Sequence, residues 1–259
     1  MSVCIREPLT ANRTYYVRAD GNNSNSGLVD SSSGAFQTIQ KAVDVVCATL
    51  DMGLYQVTIE VRAGTYSETV QLKSYVGSTW PTLRGDTTTP ANVAISANAG
   101  NAVQLVDSVA WRVEGFKVTS STNSGLSSAA NGFLVFQFID FGACFEYHMI
   151  AFGGGKIRLS SDYRITGNAT AHIFAQESGS GARGEGRTIT LVGTLNFSDA
   201  FAIAYDCASI VVPNMTFSGS ATGFRFAVRG NSMIWTNSAG LTYLPGNLPG
   251  TSASGGAYA

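Results

Sequence analysis

The sequence feature that most constrains the fold is a repeat of short, strand-like segments, with a period of roughly 20–25 residues. FAIAYDCASIVVPN (201–214) overlays FRFAVRGNSMIWTN (224–237) without a gap, and RTITLVGTLNFS (187–198) resembles ASIVVPNMTFS (208–218) at an offset of about 20 residues. A repeat of this length cannot bury its own inner face, so successive repeats must stack about 4.8 Å apart. Because parallel crossovers are nearly always right-handed, the repeat predicts an all-β, single-stranded right-handed parallel β-helix rather than hairpins.

The other segments fit this coil, with a helix near the start of the chain. Residues 57–61 (VTIEV) alternate apolar and polar side chains, as a half-buried strand does. Residues 35–50 (AFQTIQKAVDVVCATL) instead carry apolar side chains at spacings of three and four positions, the stripe of an amphipathic helix. We predict this capping α-helix over about 37–50, with Ser33 as its N-cap, followed by roughly seven to nine coils through about residue 240.

The segments around this helix resemble the start of pectate-lyase-like β-helix domains. TYYVRADGNNSNSG (14–27), AFQTIQKAVDVV (35–46) and VTIEVRAGTYSETVQL (57–72) follow the order of strand, Asp-Gly loop, helix and first coil in that superfamily. The matching residues are Phe36, Thr38, Ile39, Gln40, Ala42, Val61, Gly64, Tyr66 and Glu68. The resemblance implies that the helix caps the coil and that 57–72 forms its first full turn. It implies a fold and not an activity, because many enzymes and virion proteins share this cap.

The C-terminal stretch LTYLPGNLPGTSASGGAYA (241–259) resembles the tails of many structural proteins of tailed phages and prophages. Those tails end in Leu-Pro-Gly, Gly-Thr and Gly-Gly-x-Tyr elements of the same kind. We therefore divide the chain into a β-helix domain at 1–240 and a C-terminal tail at 241–259. The resemblance implies a virion protein that is made in the host cytoplasm and released by lysis. The absence of a secretion signal in MSVCIREPLTANRTYYV (1–17) agrees with that expectation.

Composition argues against several classes of function. The formal net charge of −1 gives no electrostatic footprint for nucleic acid, and the lack of a long apolar run predicts no membrane insertion. Charged residues make up only 13% of the chain, which suits an extracellular β-rich surface or one partly hidden in an oligomer. Cys4, Cys47, Cys144 and Cys207 lie far apart and form no CxxC or Cys/His cluster, so we expect separately buried free thiols.

The coil carries few side chains suited to catalysis on a polysaccharide. An enzyme of this kind needs a pair of acids, or an acid with a metal-bound substrate and a basic residue. The candidates in the coil are Asp140, Glu146, His148, Asp162, Glu177, Asp199 and Asp206. They are scattered and show neither an Asp-Asp pair nor metal-ligand spacing. We therefore predict no catalytic residue, no cofactor and no metal site.

Two glycine-rich segments and one charged pair carry further expectations. GGGKIRL (153–159) predicts a turn before a strand, because it lacks the Gly-Lys-Ser/Thr ending of a phosphate-binding loop. ESGSGARGEGR (177–187) predicts a projecting loop, which is where a rigid coil would carry recognition. In the overlay of 201–214 on 224–237, Asp206 lies beside Arg229 in the next coil and should form an exposed ion pair with it.

Aromatic residues crowd the segment FLVFQFIDFGACFEYHMIAF (133–152). We expect most of them in the core and some against a neighbouring subunit, and by resemblance to phage spikes we predict a parallel homotrimer. The leading function is a non-catalytic virion spike or fibre-like appendage that binds a host surface glycan or decorates the particle beside other virion proteins. A tailspike depolymerase that cleaves bacterial surface polysaccharide and a secreted pectate-lyase-like enzyme are the alternatives.

Overall fold

The computed structural model describes residues 6–259 and shows a parallel β-helix of about eight turns, capped by a helix. The predicted fold class, an all-β right-handed parallel β-helix with an N-terminal capping helix, is confirmed. The α-helix, α1, spans Ile39–Thr49, and a short 3-10 helix spans Pro90–Asn92. Cys4 lies outside the described residues.

The strands are short, and the two longest lie near the C-terminal end of the coil. In chain order they are β1 (Glu7–Pro8), β2 (Arg13–Val17), β3 (Leu50–Asp51), β4 (Val57–Val61), β5 (Gly64–Tyr66), β6 (Val70–Leu72), β7 (Thr82–Arg84), β8 (Val93–Ala97), β9 (Val103–Leu105), β10 (Ala110–Glu114), β11 (Lys117–Ser120), β12 (Leu126–Ser128), β13 (Phe133–Gln137), β14 (Asp140–Cys144), β15 (Tyr147–Ala151), β16 (Lys156–Leu159), β17 (Tyr163–Ile165), β18 (Ala169–Gln176), β19 (Gly181–Arg183), β20 (Thr188–Tyr205), β21 (Ser209–Val211), β22 (Thr216–Val228), β23 (Met233–Trp235), β24 (Thr251–Ser252) and β25 (Ala257–Tyr258). Strand β16 follows the glycines of GGGKIRL, as the sequence predicted.

Two large parallel sheets wrap the core. One has ten strands in the order β2-β4-β7-β10-β13-β16-β19-β21-β23-β25. The other has two runs, β5-β8-β11-β14-β17 and β6-β9-β12-β15-β18, which meet in the long strand β20. Strand β20 pairs with both β17 and β18, so in the later coils one continuous strand replaces the corner between the two runs.

The core forms because apolar and polar side chains alternate along each strand and the apolar ones point inward. On β4, Val57, Ile59 and Val61 are buried while the two residues between them are partly exposed. Stacking the coils then places inward residues of successive coils in contact along the axis. One such row of buried side chains contains Trp111, Leu134, Ile157, Ala182, Ile210 and Ile234. Each large apolar side chain in the row contributes about 1.5–3 kcal/mol by leaving water.

The register between the last coils differs by a single position from the one that the sequence overlay predicted. The overlay aligned Phe201 with Phe224, whereas in the structure Ala202 pairs with Phe226 and Ala204 with Val228. A shift of one position along a strand turns every side chain to the opposite face. The observed register places the buried side chain of Phe226 beside the small buried Ala202, and it leaves Phe224 on the surface.

The second overlay, of 187–198 on 208–218, was wrong. Thr188 pairs with Thr216, further along the chain than the overlay placed its partner, and both belong to the sheet that contains β20. The segment that starts at Ser209 is β21, which lies in the ten-stranded sheet instead. The two segments look alike because both alternate apolar and polar residues, and alternation alone does not say which sheet a strand joins.

The glycine-rich segment 177–187 is not the projecting loop that its composition predicted. It contains β19, which pairs with β16 on one side and β21 on the other. The buried side chain of Ala182 holds the inward position of this strand. The segment has a low intrinsic preference for strand. It forms a strand because packing against β16 and β21 outweighs that preference.

Residues 241–259, set apart by sequence as a tail, extend the coil. Strand β24 pairs with β22, and β25 pairs with β23. Leu244 is fully buried, and the ring of Tyr258 stacks on that of Phe226 with 3.9 Å between centroids. The stretch therefore covers the open C-terminal end of the core in the same way that α1 covers the N-terminal end.

Helix α1 closes the N-terminal end of the coil, but not with the N-cap that the sequence predicted. Ser33 lies in a turn, and the N-cap is Thr38, whose side chain accepts a hydrogen bond from the backbone N–H of Lys41. The helix buries Ile39, Ala42, Val43, Val46 and Cys47 against the first coils. Placing the cap at Thr38 starts the helix where this apolar stripe starts.

The first turn of α1 is held by a carboxylate from the first coil. The two carboxylate oxygens of Glu68 accept the backbone N–H groups of Ile39 and Gln40, each at 2.9 Å. These N–H groups have no partner inside the helix, and a negative charge at a helix N-terminus is favourable. Burial raises the pKa of Glu68, and the two N–H groups oppose that rise.

We expect Glu68→Gln to lower the free energy of unfolding by about 1–3 kcal/mol, because an amide offers one acceptor oxygen and turns an NH₂ group toward a backbone donor. Urea unfolding followed by circular dichroism measures the loss. The matched control is Glu185→Gln, at an exposed position, which should change the free energy of unfolding by less than about 0.5 kcal/mol. Equal stability of the two variants would contradict this role for Glu68.

Candidate functional site

A groove of about 490 Å³ that is lined by no charged side chain crosses several coils on the outer surface. Strands β8, β11 and β14 stack to form its floor. Asn196 and Ser198 of β20 line it further along the coil. Small side chains form this floor: Ser96 of β8 lies opposite Thr119 of β11, and Ala97 lies opposite Ser120. The polar and aromatic side chains of the groove include Thr119, Ser121, Phe145, Asn168, Thr170 and Asn196.

Hydrogen bonds fix the two asparagine side chains of the groove in a defined orientation. Asn168 Oδ1 accepts the backbone N–H of Asn196 at 2.9 Å, and Asn196 Oδ1 accepts the hydroxyl of Thr222 at 2.9 Å. Within residues 6–259, neither Nδ2 group donates to the protein, and both residues are exposed. The groove therefore presents two oriented amide donors to solvent.

Phe145 gives the groove an apolar face. Its side chain is 68% exposed, although it directly follows a strand whose aromatic residue, Phe141, is fully buried. The backbone carbonyl of Phe145 accepts the hydroxyl of Thr170 at 3.1 Å, which ties its main chain to the next coil. An exposed aromatic ring beside oriented amides and hydroxyls suits a ligand with one apolar face and many hydroxyl groups.

The aromatic residues of segment 133–152 are less buried than the sequence predicted, because only Phe136 and Phe141 among its Phe and Tyr residues lie in the core. Phe136 and Phe141 are fully buried, and their rings pack edge to face at 5.5 Å. Phe138 and Phe145 are the large side chains of this segment that are most exposed. Exposed aromatic residues were expected from the sequence, but the groove beside Phe145 was not, because its walls come from coils that are distant in the sequence.

The structure brings two of the seven candidate catalytic residues to one cavity. Asp140 and Asp162 line a cavity of about 230 Å³ together with Arg164. The carboxylate of Asp140 accepts the hydroxyl of Thr166 at 2.6 Å, and that of Asp162 accepts the backbone N–H of Thr188 at 2.9 Å. The sequence indicated no acid pair, since this meeting depends on the register in which Asp140 pairs with Arg164 of the next coil.

The other carboxylates are not gathered at that cavity. Glu177 accepts the backbone N–H of Gly153 at 2.9 Å, and Glu146, Asp199 and Asp206 line none of the cavities described here. Asp206 accepts the side-chain amide of Gln176 at 2.9 Å. The contacts of Glu177 and Asp206 are therefore structural hydrogen bonds within the coil.

The predicted ion pair between Asp206 and Arg229 was wrong. The guanidinium of Arg229 instead lies 3.7 Å from the centre of the Tyr205 ring, a cation–π contact. Asp206 has a positive φ of 59°, so the chain turns at this residue and does not continue the strand. The register found between β20 and β22 also moves Arg229 away from the position opposite Asp206.

His148, the remaining candidate, lies in the core and not at the surface. Its Nδ1 is 3.1 Å from Nδ1 of His172, whose Nε2 is 2.7 Å from the hydroxyl of Tyr163. All three side chains are buried, and rings of Phe141 and Phe197 surround them. Nε2 of His148 makes no hydrogen bond within residues 6–259. No ligand can reach these groups without opening the coil, so they affect the stability of the core and do not form an external site.

Burial sets the protonation state of both histidines. Loss of solvation lowers the pKa of His148 to about 3, and it lowers the pKa of His172 well below its usual value, where repulsion between protons on the two rings acts in the same direction. Burial raises the pKa of Tyr163 well above its usual value. Both imidazoles are therefore neutral in the folded protein at neutral pH, while those of the unfolded chain titrate near pH 6.5.

We expect the folded protein to lose stability as pH falls below about 6.5, because the unfolded chain then binds protons that the folded chain does not. The loss is up to about 2 kcal/mol per histidine between pH 6.5 and 5. Urea unfolding at pH 7.5 and 5.0 measures it. His148→Phe should roughly halve the difference between the two pH values, and an unchanged difference would show that other groups cause the pH dependence.

The described residues contain no group of three or more His, Cys, Asp or Glu side chains that could hold a metal ion. Within the same residues, no helix is long and apolar enough to cross a membrane. Cys47 and Cys144 are buried free thiols, as expected, and Cys207 is free but exposed, contrary to expectation. Burial raises the pKa of both Cys47 and Cys144 to about 12.

Comparison of the chain with protein-family models, curated proteins and solved structures finds no match.

Proposed function

We propose that this protein is a non-catalytic glycan-binding β-helix, and that the groove beside Phe145 holds the sugar chain. The observation that carries the proposal is the pairing of an exposed aromatic ring with the unused Nδ2 donors of Asn168 and Asn196. A sugar ring has one face of C–H groups that packs on an aromatic side chain, and it has hydroxyls around its edge that accept from amides.

The absence of charged side chains along the groove defines the class of sugar. None of its lining residues is Asp, Glu, Lys or Arg. A charged sugar would lose its hydration there without gaining a partner, which costs free energy. The groove therefore suits neutral hexoses of a surface polysaccharide.

The setting that we propose is a virion spike or fibre-like appendage that binds a host surface glycan and contacts other virion proteins. The support is the resemblance of 241–259 to tails of phage structural proteins, together with the resemblance of 14–72 to β-helix caps that virion proteins share. A rigid coil that carries its ligand across several turns suits attachment, because the site is preorganised before the ligand arrives.

We also propose a homotrimer. Large apolar side chains stay exposed outside the groove, among them Leu54 at 80% and Leu241 at 66%, and burying such side chains between identical subunits is favourable. Light scattering of the full chain should give about three times its mass of 27.1 kDa. A stable monomer at micromolar concentration would contradict the trimer and leave the groove proposal intact.

We expect Phe145→Ala to weaken binding of a neutral bacterial surface oligosaccharide by at least tenfold, about 1.4 kcal/mol, because the sugar loses its apolar platform. Candidate oligosaccharides are found on a glycan array, and their affinities are measured by isothermal titration calorimetry. Asn196→Asp should also weaken binding, since it keeps the acceptor for Thr222 and removes the Nδ2 donor.

The matched controls are Phe224→Ala and Asn214→Asp, which make the same changes at exposed positions that line none of the cavities. They should keep the affinity of the unaltered protein within about twofold. Equal losses in control and groove variants would sink the groove proposal, as would the lack of any neutral ligand on the array.

A depolymerase is the second candidate, favoured by the meeting of Asp140 and Asp162 at one cavity. Two carboxylates at one site are what glycoside hydrolysis requires. Incubating the protein with the bound polysaccharide and assaying reducing ends and unsaturated products distinguishes the two functions. Product release that Asp162→Asn abolishes and Asp199→Asn leaves unchanged would establish the enzyme and overturn the non-catalytic assignment.

A further inference from the structure

The charged residues of the chain are paired very unevenly. Every ion pair in residues 6–259 lies between Glu7 and Glu114, where Arg13, Arg18 and Arg62 each contact a carboxylate. In the described coils from residue 115 onward, no Lys or Arg side chain comes within 4.0 Å of a carboxylate oxygen. The cations of these later coils therefore have no carboxylate beside them.

Three of these cations lie together on the outer face of the ten-stranded sheet, and a fourth lies beside them. Lys156 and Arg158 point outward from β16, and Arg183 points outward from β19. Arg158 and Arg183 are direct partners in the register, so their guanidinium groups start from adjacent strands. Arg187 directly precedes strand β20 of the other sheet and lines a cavity together with Arg158 and Arg183. We call these four residues the cationic strip.

The strip lines two adjoining cavities. The first, of about 260 Å³, is lined by Lys156, Arg158 and Arg183, with Phe133 and Val211 as apolar neighbours. The second, of about 270 Å³, is lined by Arg158, Arg183 and Arg187, with Glu185 as its single carboxylate. The two guanidinium groups of Arg158 and Arg183 are shared by both cavities.

A glycine, Gly181, lines the first cavity. Gly181 occupies the position opposite Lys156 on one side and Ser209 on the other. A Cβ atom at Gly181 would lie 2.5 Å from the backbone oxygen of Ser209, so a side chain would not fit there without displacing the sheet. The backbones of Gly181 and Ser209 therefore pack closely at this edge of the strip, and no side chain lies between Lys156 and Ser209.

Electrostatics argues that the strip is completed by an anion. Like charges directly opposite one another on neighbouring strands are destabilising, and neighbouring strands lie about 4.8 Å apart. The planar fork of an arginine matches a carboxylate or phosphate group with two parallel hydrogen bonds. A negatively charged group between Arg158 and Arg183 would remove the repulsion and use both forks.

We propose that the cationic strip binds the carboxylate or phosphate groups of an acidic polysaccharide. The strip lies on the ten-stranded sheet, whereas the neutral groove lies on the other, so the chain carries two ligand surfaces of different charge. This proposal goes beyond the neutral groove and does not depend on it, because the two sites share no residue. A polysaccharide is favoured over nucleic acid because the net charge of the chain is −1 and the strip has only four cations.

The probe is a fluorescently labelled oligomannuronate, which carries one carboxylate per sugar, and its comparison ligand is the methyl ester of the same oligomer. Fluorescence anisotropy should show that the free acid binds at least tenfold more tightly than the ester. The affinity for the acid should fall as the salt concentration rises, because charge attraction supplies it. Equal affinities for acid and ester would overturn the proposal.

The variant Arg158→Gln/Arg183→Gln should weaken binding of the acid at least tenfold. Arg229→Gln, which removes an exposed cation that follows strand β22 of the other sheet and lines none of the cavities, is the matched control and should bind as the unaltered protein does. The double variant should melt at the same or a higher temperature, since it removes like-charge repulsion. Unchanged binding by the double variant, or a lower melting temperature, would contradict the assignment.

Two further ligands decide the source of the anion. Inorganic phosphate should compete weakly with the oligomer, and tight binding of free phosphate would overturn the polysaccharide assignment. A single-stranded DNA oligomer that binds more tightly than the oligomannuronate would replace the proposal with a nucleic-acid site. Phe145→Ala should leave binding of the acid unchanged, so failure of the strip and failure of the groove give different results.

Discussion

The pairing of each strand with the strand one coil later is the interaction on which the rest of the structure depends. A single coil has too few residues to enclose its own apolar side chains, so every coil needs a neighbour on each side. The row from Trp111 to Ile234 shows the result, because each side chain is covered by the one above and the one below. The same pairing brings outward side chains into rows, and both proposed ligand surfaces are made of such rows.

The local structure could be predicted from the sequence, and the register could not. The alternation at 57–61 and the apolar stripe of α1 are local signals, and each is confirmed at nearly the predicted position. The overlay of the last coils missed the true register by a single position because it matched similar side chains, whereas the fold matches shapes across the core. Phe226 needs the small Ala202 beside it, and nothing in either segment alone says so.

The candidate sites were missed for the same reason. The groove gathers Phe145, Asn168 and Asn196 from different coils, so it exists only once the register is known. The strip contains β19, which composition predicted as a loop, because glycine and serine disfavour strands in isolation. The meeting of Asp140 and Asp162 likewise follows from the length of the coil between them, and that length changes from one coil to the next. On this fold, the residues of a site come from several coils, so the register between coils determines which side chains meet.

The contact between Glu68 and the first turn of α1 has a consequence for the order in which the chain folds. The helix is 11 residues long, which is too short to be stable alone in water, and the carboxylate that satisfies its first N–H groups lies in the coil that follows it in the chain. During synthesis the helix must therefore wait until the first coil has left the ribosome. Once the two meet, they form a finished end on which β7 and then each later strand can add, so growth of the coil proceeds from the N-terminus in the direction of translation.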